Sequence, residues 1–179
     1  MRFLSFIGAL AILVAIGAAV FFFGGFYNIA ATEPDLGIVA WALEHVREAS
    51  ISRHATMTPP SGFDDPANVQ AGARAFAARG CANCHGAPGV TWGKFSEGLH
   101  PDPPDLKDVV KDIAAKDIFW VVRNGINMTG MPAFAANVAN EMEIWQITAF
   151  VKKIGDVSEA DYKSWVDAGP PPADPPAPK

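Results

Sequence analysis

The sequence has very few cysteines and no excess of positive charge. Cys81 and Cys84 are the only cysteines among 179 residues, which excludes a disulfide framework and a four-cysteine zinc site. Lysine and arginine number 14 against 19 aspartates and glutamates. Proteins that bind nucleic acid typically carry a basic stripe, so we expect no nucleic-acid partner.

Charge is also missing from the start of the chain, where no charged residue lies between Arg2 and Glu33. The apolar stretch 3–26 has 24 residues, and a helix of that length reaches about 36 Å, enough for a bilayer core of about 30 Å. Arg2 favours a cytoplasmic N-terminus. We predict an uncleaved membrane anchor; the alternative is a signal peptide cut near Ala30-Ala31.

A second helical pattern follows the anchor, over residues 38–55, with Val39, Leu43 and Val46 on one side. This side could lie on the membrane surface or dock on a partner subunit. The alternative is that the segment packs on the chain's own domain. The breaker-rich string TPPSGFDDP at 58–66 marks a linker after it.

Three further helices are predicted beyond the linker. Apolar and small residues recur at helical spacing over 66–79, a short helix is expected over 116–124, and the last helix begins at Asn140. Asn140 followed by Glu143 is a capping-box arrangement. Residues 86–110 are rich in Gly, Pro and Asp and predict a long loop.

These patterns divide the chain into four predicted segments. The last ends in a proline-rich tail that favours an extended conformation. The segments are an N-terminal transmembrane anchor (1–32), a juxtamembrane helix and linker (33–60), a compact all-α domain (61–157) and a C-terminal segment with the tail (158–179).

The chemistry of the chain is concentrated in the string CANCH at 81–85. Cys-x-x-Cys-His is the attachment signature of haem c: two thiols form thioethers with the two vinyl groups, and the histidine that follows faces the iron. A thioredoxin-like pair would follow a strand, and a disulfide between residues three apart contributes little. We therefore predict one haem c, attached at Cys81 and Cys84, with His85 as iron ligand.

A methionine is the best candidate for the other iron ligand. Met131 lies between Gly130 and Pro132, which make a stiff turn able to present the thioether sulfur. Met128 is the rival, and Met142 is a weaker candidate because it lies within the last predicted helix. A methionine is otherwise an adaptable core residue. We predict that Met131 binds the iron.

The order of helix, Cys-x-x-Cys-His, loop, short helix, Met-Pro and closing helix resembles class I cytochromes c over roughly residues 66–154. The resemblance implies an all-α fold in which the first and last helices cross beside one haem. It places Gly72 and Phe76 at the crossing. Phe150, or alternatively Trp145, corresponds to the family's aromatic residue on the last helix.

The resemblance also implies a hydrogen-bond partner for the haem-ligating histidine. In the family a proline carbonyl accepts a hydrogen bond from the imidazole and fixes its orientation, and Pro103 or Pro104 would take that role here. The string NGINMTGMPAF at 124–134 resembles a subset of membrane-attached bacterial monohaem cytochromes. We therefore expect a single-pass protein of the bacterial inner membrane, with its haem domain on the periplasmic side.

Histidine and methionine together leave no open position on the iron, which favours one-electron transfer. We predict a non-enzymatic electron-transfer protein, acting as a carrier or as the haem subunit of a larger membrane redox complex such as a respiratory enzyme. Its partners would be the membrane and redox proteins or subunits, with no small-molecule substrate. The alternative is a haem-based sensor or catalyst with five-coordinate iron, in which Met131 would not be a ligand.

Overall fold

The computed structural model describes residues 2–33, 35–135 and 140–169. Secondary structure there is helical, apart from an isolated antiparallel bridge between Ala87 and Val90, which confirms the predicted all-α fold class. Short 3₁₀ helices span Lys94–Gly98 and Val110–Asp112. The α-helices of these residues are α1 (Arg2–Phe23), α2 (Gly37–His54), α3 (Pro66–Ala78), α4 (Ala82–His85), α5 (Leu106–Val109), α6 (Ala115–Asn124), α7 (Glu141–Lys153) and α8 (Glu159–Asp167).

The chain divides into two compact units, residues 1–35 and 36–179. The first consists mainly of α1, whose stretch Phe3–Phe23 is long and apolar enough to cross a membrane. The predicted anchor therefore fits this helix. The boundaries of the four segments predicted from the sequence remain a proposal.

The second unit is built around the contact between α3 and α7. A methyl group added at Gly72 would overlap the backbone carbonyl of Gln146, so glycine is what lets the two backbones approach. One turn further on, the rings of Phe76 and Phe150 meet edge to face with centroids 5.3 Å apart. The predicted pairing of first and last domain helices is confirmed, with Phe150 as the aromatic partner of Phe76.

Helix α6 covers another side of α7. Phe119 stacks on Trp145 with centroids 4.0 Å apart and an angle of 16° between the rings. Both side chains are buried, and Phe63 packs edge-on against Trp145. Trp145 thus belongs to the α6 contact, whereas Phe150 belongs to the α3 contact.

The N-terminus of α7 follows the predicted capping pattern. The side chain of Asn140 accepts a hydrogen bond from the backbone N–H of Glu143 at 2.8 Å. The carboxylate of Glu143 binds the guanidinium of Arg79, with contacts of 2.7 Å from Nε and 2.9 Å from Nη2. The first turn of α7 is therefore fixed to the end of α3.

Two features differ from the sequence prediction. The predicted loop 86–110 contains α5 and a 3₁₀ helix, because Asp105 caps α5 by accepting the N–H of Lys107. Helix α8 was not predicted. Ser158 caps it by accepting the N–H of Asp161 at 3.1 Å, and its buried Tyr162 stacks on Phe150. Residues 170–179, where the predicted proline-rich tail falls, lie outside the described residues.

Candidate functional site

The end of α3 places Cys81 at the edge of the core. Gly80 has φ +75°, a left-handed conformation that glycine adopts without strain. The N–H of Gly80 bonds to the carbonyl of Ala77, and the N–H of Cys81 bonds to that of Phe76, at 3.0 and 3.1 Å. This pair of bonds is a Schellman motif, so the backbone position of Cys81 is fixed by the way α3 stops.

The short helix α4 gathers the predicted attachment residues on one turn. The carbonyl of Cys81 accepts hydrogen bonds from the N–H groups of Cys84, at 3.2 Å, and His85, at 3.0 Å. Gly86, with φ +67°, then turns the chain away. Both cysteines are free and half-buried. Both thiols are therefore carried by one turn of backbone, as attachment to a single macrocycle requires.

The imidazole of His85 is oriented by a proline carbonyl. Its Nδ1 lies 2.9 Å from the carbonyl oxygen of Pro104. A carbonyl can only accept, so Nδ1 carries the hydrogen and donates it, which leaves the lone pair of Nε2 for a metal. Of the two prolines considered from the sequence, Pro103 and Pro104, it is Pro104 whose carbonyl makes this contact.

Backbone and hydroxyl hydrogen bonds shape the loop that carries Met131. The N–H of Ile126 bonds to the carbonyl of Met131, and the N–H of Met131 bonds to the hydroxyl oxygen of Thr129, both at 3.1 Å. That hydroxyl donates in turn to the carbonyl of Ile126 at 2.8 Å. Gly125, at φ +66°, lies so close to the returning chain that a Cβ would stand 2.7 Å from the nitrogen of Ala133. The loop is therefore held tightly on both sides of Met131.

The three candidate methionines differ in their surroundings. Met131 is half-buried and packs against the hydrophobic core, as Cys81 does. Met128 is 91% exposed and has φ +59°, a conformation that is uncommon for a residue with a side chain. Met142 is 49% exposed on α7. Met131 is thus the methionine on the fixed part of the loop that also contacts the core.

The surroundings of Cys81 are apolar with one ion pair nearby. Burial raises the pKa of the Cys81 thiol to about 12, so the free thiol is neutral at pH 7. Arg79 lies two residues before Cys81 and forms an ion pair with Glu143. The Arg79 and Glu143 side chains are 29% and 13% exposed. Sequence reasoning missed this pair, because partners separated by 64 positions leave no local signal.

These residues fit a covalently attached haem. The donor set consists of two thiols on one turn, an imidazole with a free Nε2 and a thioether on a braced loop, which are the groups that haem c uses. The donors are half-buried, and nearby in the sequence three small or aromatic side chains pack against the same hydrophobic core. They are Ala82, Ala87 and Phe134.

Comparison with known proteins finds one family model that matches the region of the site. Residues 67–151, slightly less than half of the chain, match the family model described as cytochrome c oxidase, cbb3-type, subunit III. No curated protein and no solved structure matches the chain. The matched region contains the Cys-x-x-Cys-His motif, Pro104 and Met131. This part of the chain is therefore a class I c-type cytochrome domain, which binds haem c covalently and serves electron transfer, and it follows an apolar helix that fits a membrane anchor.

Proposed function

We propose that the protein is a membrane-anchored monohaem cytochrome c that passes single electrons as the haem subunit of a larger membrane redox complex. The observation that carries the proposal is the pairing of the Cys81–His85 turn with the carbonyl of Pro104. Bound there, haem c supplies a one-electron Fe(III)/Fe(II) couple. The family model, described as an oxidase subunit, supports the subunit role.

Each site residue has a separate role in this proposal. Cys81 and Cys84 hold the macrocycle through thioethers, and His85 binds the iron through Nε2. Pro104 keeps the imidazole in one tautomer and raises its basicity through the Nδ1 hydrogen bond. Met131 would also bind the iron, and its thioether would favour the ferrous state and raise the potential.

Substituting the methionines tests the ligand assignment. In Met131→Ala, the weak red absorption band of the ferric Met–Fe bond should disappear, and the reduced protein should bind carbon monoxide rapidly. Met128→Ala is the matched control and should keep the band, because Met128 faces solvent. Rapid carbon monoxide binding by the unaltered protein would instead favour a five-coordinate sensor or catalyst.

Gentle extraction tests the subunit role. The full-length protein, solubilised from its native membrane in a mild detergent, should run as part of a stoichiometric complex with other redox subunits. Mass spectrometry of the purified complex would identify them. A cytochrome that purifies alone, and that exchanges electrons with several soluble proteins, would be a free carrier and would contradict the subunit proposal.

The side of the membrane and the type of membrane are also part of the proposal. Arg2, at the short end of the anchor, supports a cytoplasmic N-terminus by the positive-inside rule, which would put the haem domain in the periplasm of a bacterium. Protease added to intact spheroplasts should remove the haem domain. Protection from the protease until the membrane is broken would contradict this orientation.

A further inference from the structure

The first half of α2 is an apolar surface that the other described residues of its unit do not cover. Residues 36–43 contain no ionisable side chain, and the nearest ones are Asp35 and Glu44. Large contiguous apolar patches on a soluble surface mark interaction sites. Five large apolar side chains in the segment 36–46 are exposed by between 56 and 70%: Leu36, Ile38, Trp41, Leu43 and Val46.

The other end of α2 is attached to the cytochrome domain. The ring of His54 lies 6.2 Å from the ring of Trp120 on α6, and Ala55, directly after the helix, is buried. Ser50 and Ile51 are half-buried. The helix is thus held at its C-terminal end, and the exposed segment 36–46 extends from this attachment.

The connection between α1 and α2 is short. It comprises 13 residues, 24–36. Within it, the hydroxyl of Tyr27 donates a hydrogen bond to the carboxylate of Asp35 and so brings these two residues together. Asp35, the residue before Leu36, is thereby held next to Tyr27, which is four residues beyond the end of α1. Along the chain, the exposed apolar segment therefore follows the proposed membrane anchor after only this short connection.

We propose that segment 36–46 inserts into the interfacial layer of the membrane that holds α1. Phospholipid is the occupant that this position favours, because the segment follows the anchor in the chain after a short connection and is uncharged for its first eight residues. An indole such as that of Trp41 suits the interface, having an apolar body and a polar N–H. Because α2 is joined to α6, insertion would fix the orientation of the haem domain on the membrane. This inference rests on the proposed anchoring of α1.

Photolabelling from the lipid phase tests the proposal. The full-length holoprotein is placed in phosphatidylcholine nanodiscs in which a small fraction of the lipid carries a diazirine on its acyl chain. After irradiation, adducts are mapped by mass spectrometry. Adducts on both 3–26 and 36–46, with none on α8, are the expected result.

The two stretches separate the two possible failures. Adducts on 3–26 alone would overturn the insertion of α2 and leave the anchor intact. Absence from both stretches would overturn the anchor and the present inference together. Cross-links between two copies of the chain through 36–46, without lipid adducts there, would show that a second copy covers the segment and would also overturn it.

A double variant gives a matched comparison. Ile38→Gln with Leu43→Gln removes two exposed apolar side chains, so the fold of the domain should be unchanged. Loss of their burial should lower the adduct yield on 36–46 by at least about tenfold, with no change on 3–26. Met142→Gln, at an exposed position on α7, should leave both yields unchanged. Unaltered labelling of the double variant would show that these side chains do not enter the bilayer.

Discussion

The contact between α3 and α7 at Gly72 allows a quantitative prediction. In Gly72→Ala, the added methyl would overlap the carbonyl oxygen of Gln146 and approach Cβ of Phe150 to 3.0 Å. The first of these is a backbone atom, so no rotamer change relieves the overlap and the two helices must separate. Overpacking of this kind costs up to about 3 kcal/mol. Alanine recovers about 1 kcal/mol through its higher helix propensity, so we expect a net loss of about 2 kcal/mol.

Thermal unfolding of the oxidised holoprotein, followed by circular dichroism, measures this loss. For a chain of this size, about 2 kcal/mol lowers Tm by roughly 4–8 °C. Gly98→Ala is the matched control, because a Cβ at Gly98 meets nothing within 4 Å, and its Tm should change little. Equal Tm values for the two variants would refute the reasoning, since they would mean that α3 and α7 do not approach as closely as Gly72 indicates.

Three further predictions concern the loop, the ion pair and the last helix. Thr129→Val removes two hydrogen bonds beside Met131 and should weaken the red absorption band on mild heating, whereas Thr129→Ser should not; equal behaviour would contradict the bracing role. A double-mutant cycle with Arg79→Met and Glu143→Gln should give a coupling of about 1–2 kcal/mol in urea unfolding, and a coupling near zero would show that the pair is loose. In the same assay, Tyr162→Ala should lower the free energy of unfolding by about 3 kcal/mol, and Tyr162→Phe should lower it by less than about 1 kcal/mol. If both variants were as stable as the unaltered protein, α8 would not contribute to stability.

The parts of the fold that the sequence predicts are those controlled by neighbouring residues. The Asn140 cap, the helical spacing over 66–79 and the short helix over 116–124 each depend on a few adjacent positions, and each is present in the structure. The choice of Pro104 rather than Pro103 could not be made in this way. It depends on how the chain after the motif returns to His85, 19 residues away in sequence.

Helix α8 likewise shows that short-range sequence patterns are not enough to predict every element of the fold. Ser158 followed by Asp161 is a cap signal, and Tyr162 and Val166 have helical spacing. The nine-residue length of α8 made that pattern too short to stand out from the proline-rich segment behind it. The helix is stabilised chiefly by tertiary packing, with Tyr162 stacked on Phe150, and packing of this kind has no local signature.

The position of α8 also bears on the approach of a redox partner. Its first residue, Glu159, lies against Gly89 in the turn after the attachment motif, and Tyr162 packs into the core cluster beside which Cys81 lies. Helix α8 thus packs both on the turn that follows the attachment motif and on the core cluster that Cys81 contacts. We therefore expect a redox partner that approaches near Cys81 to contact α8 as well.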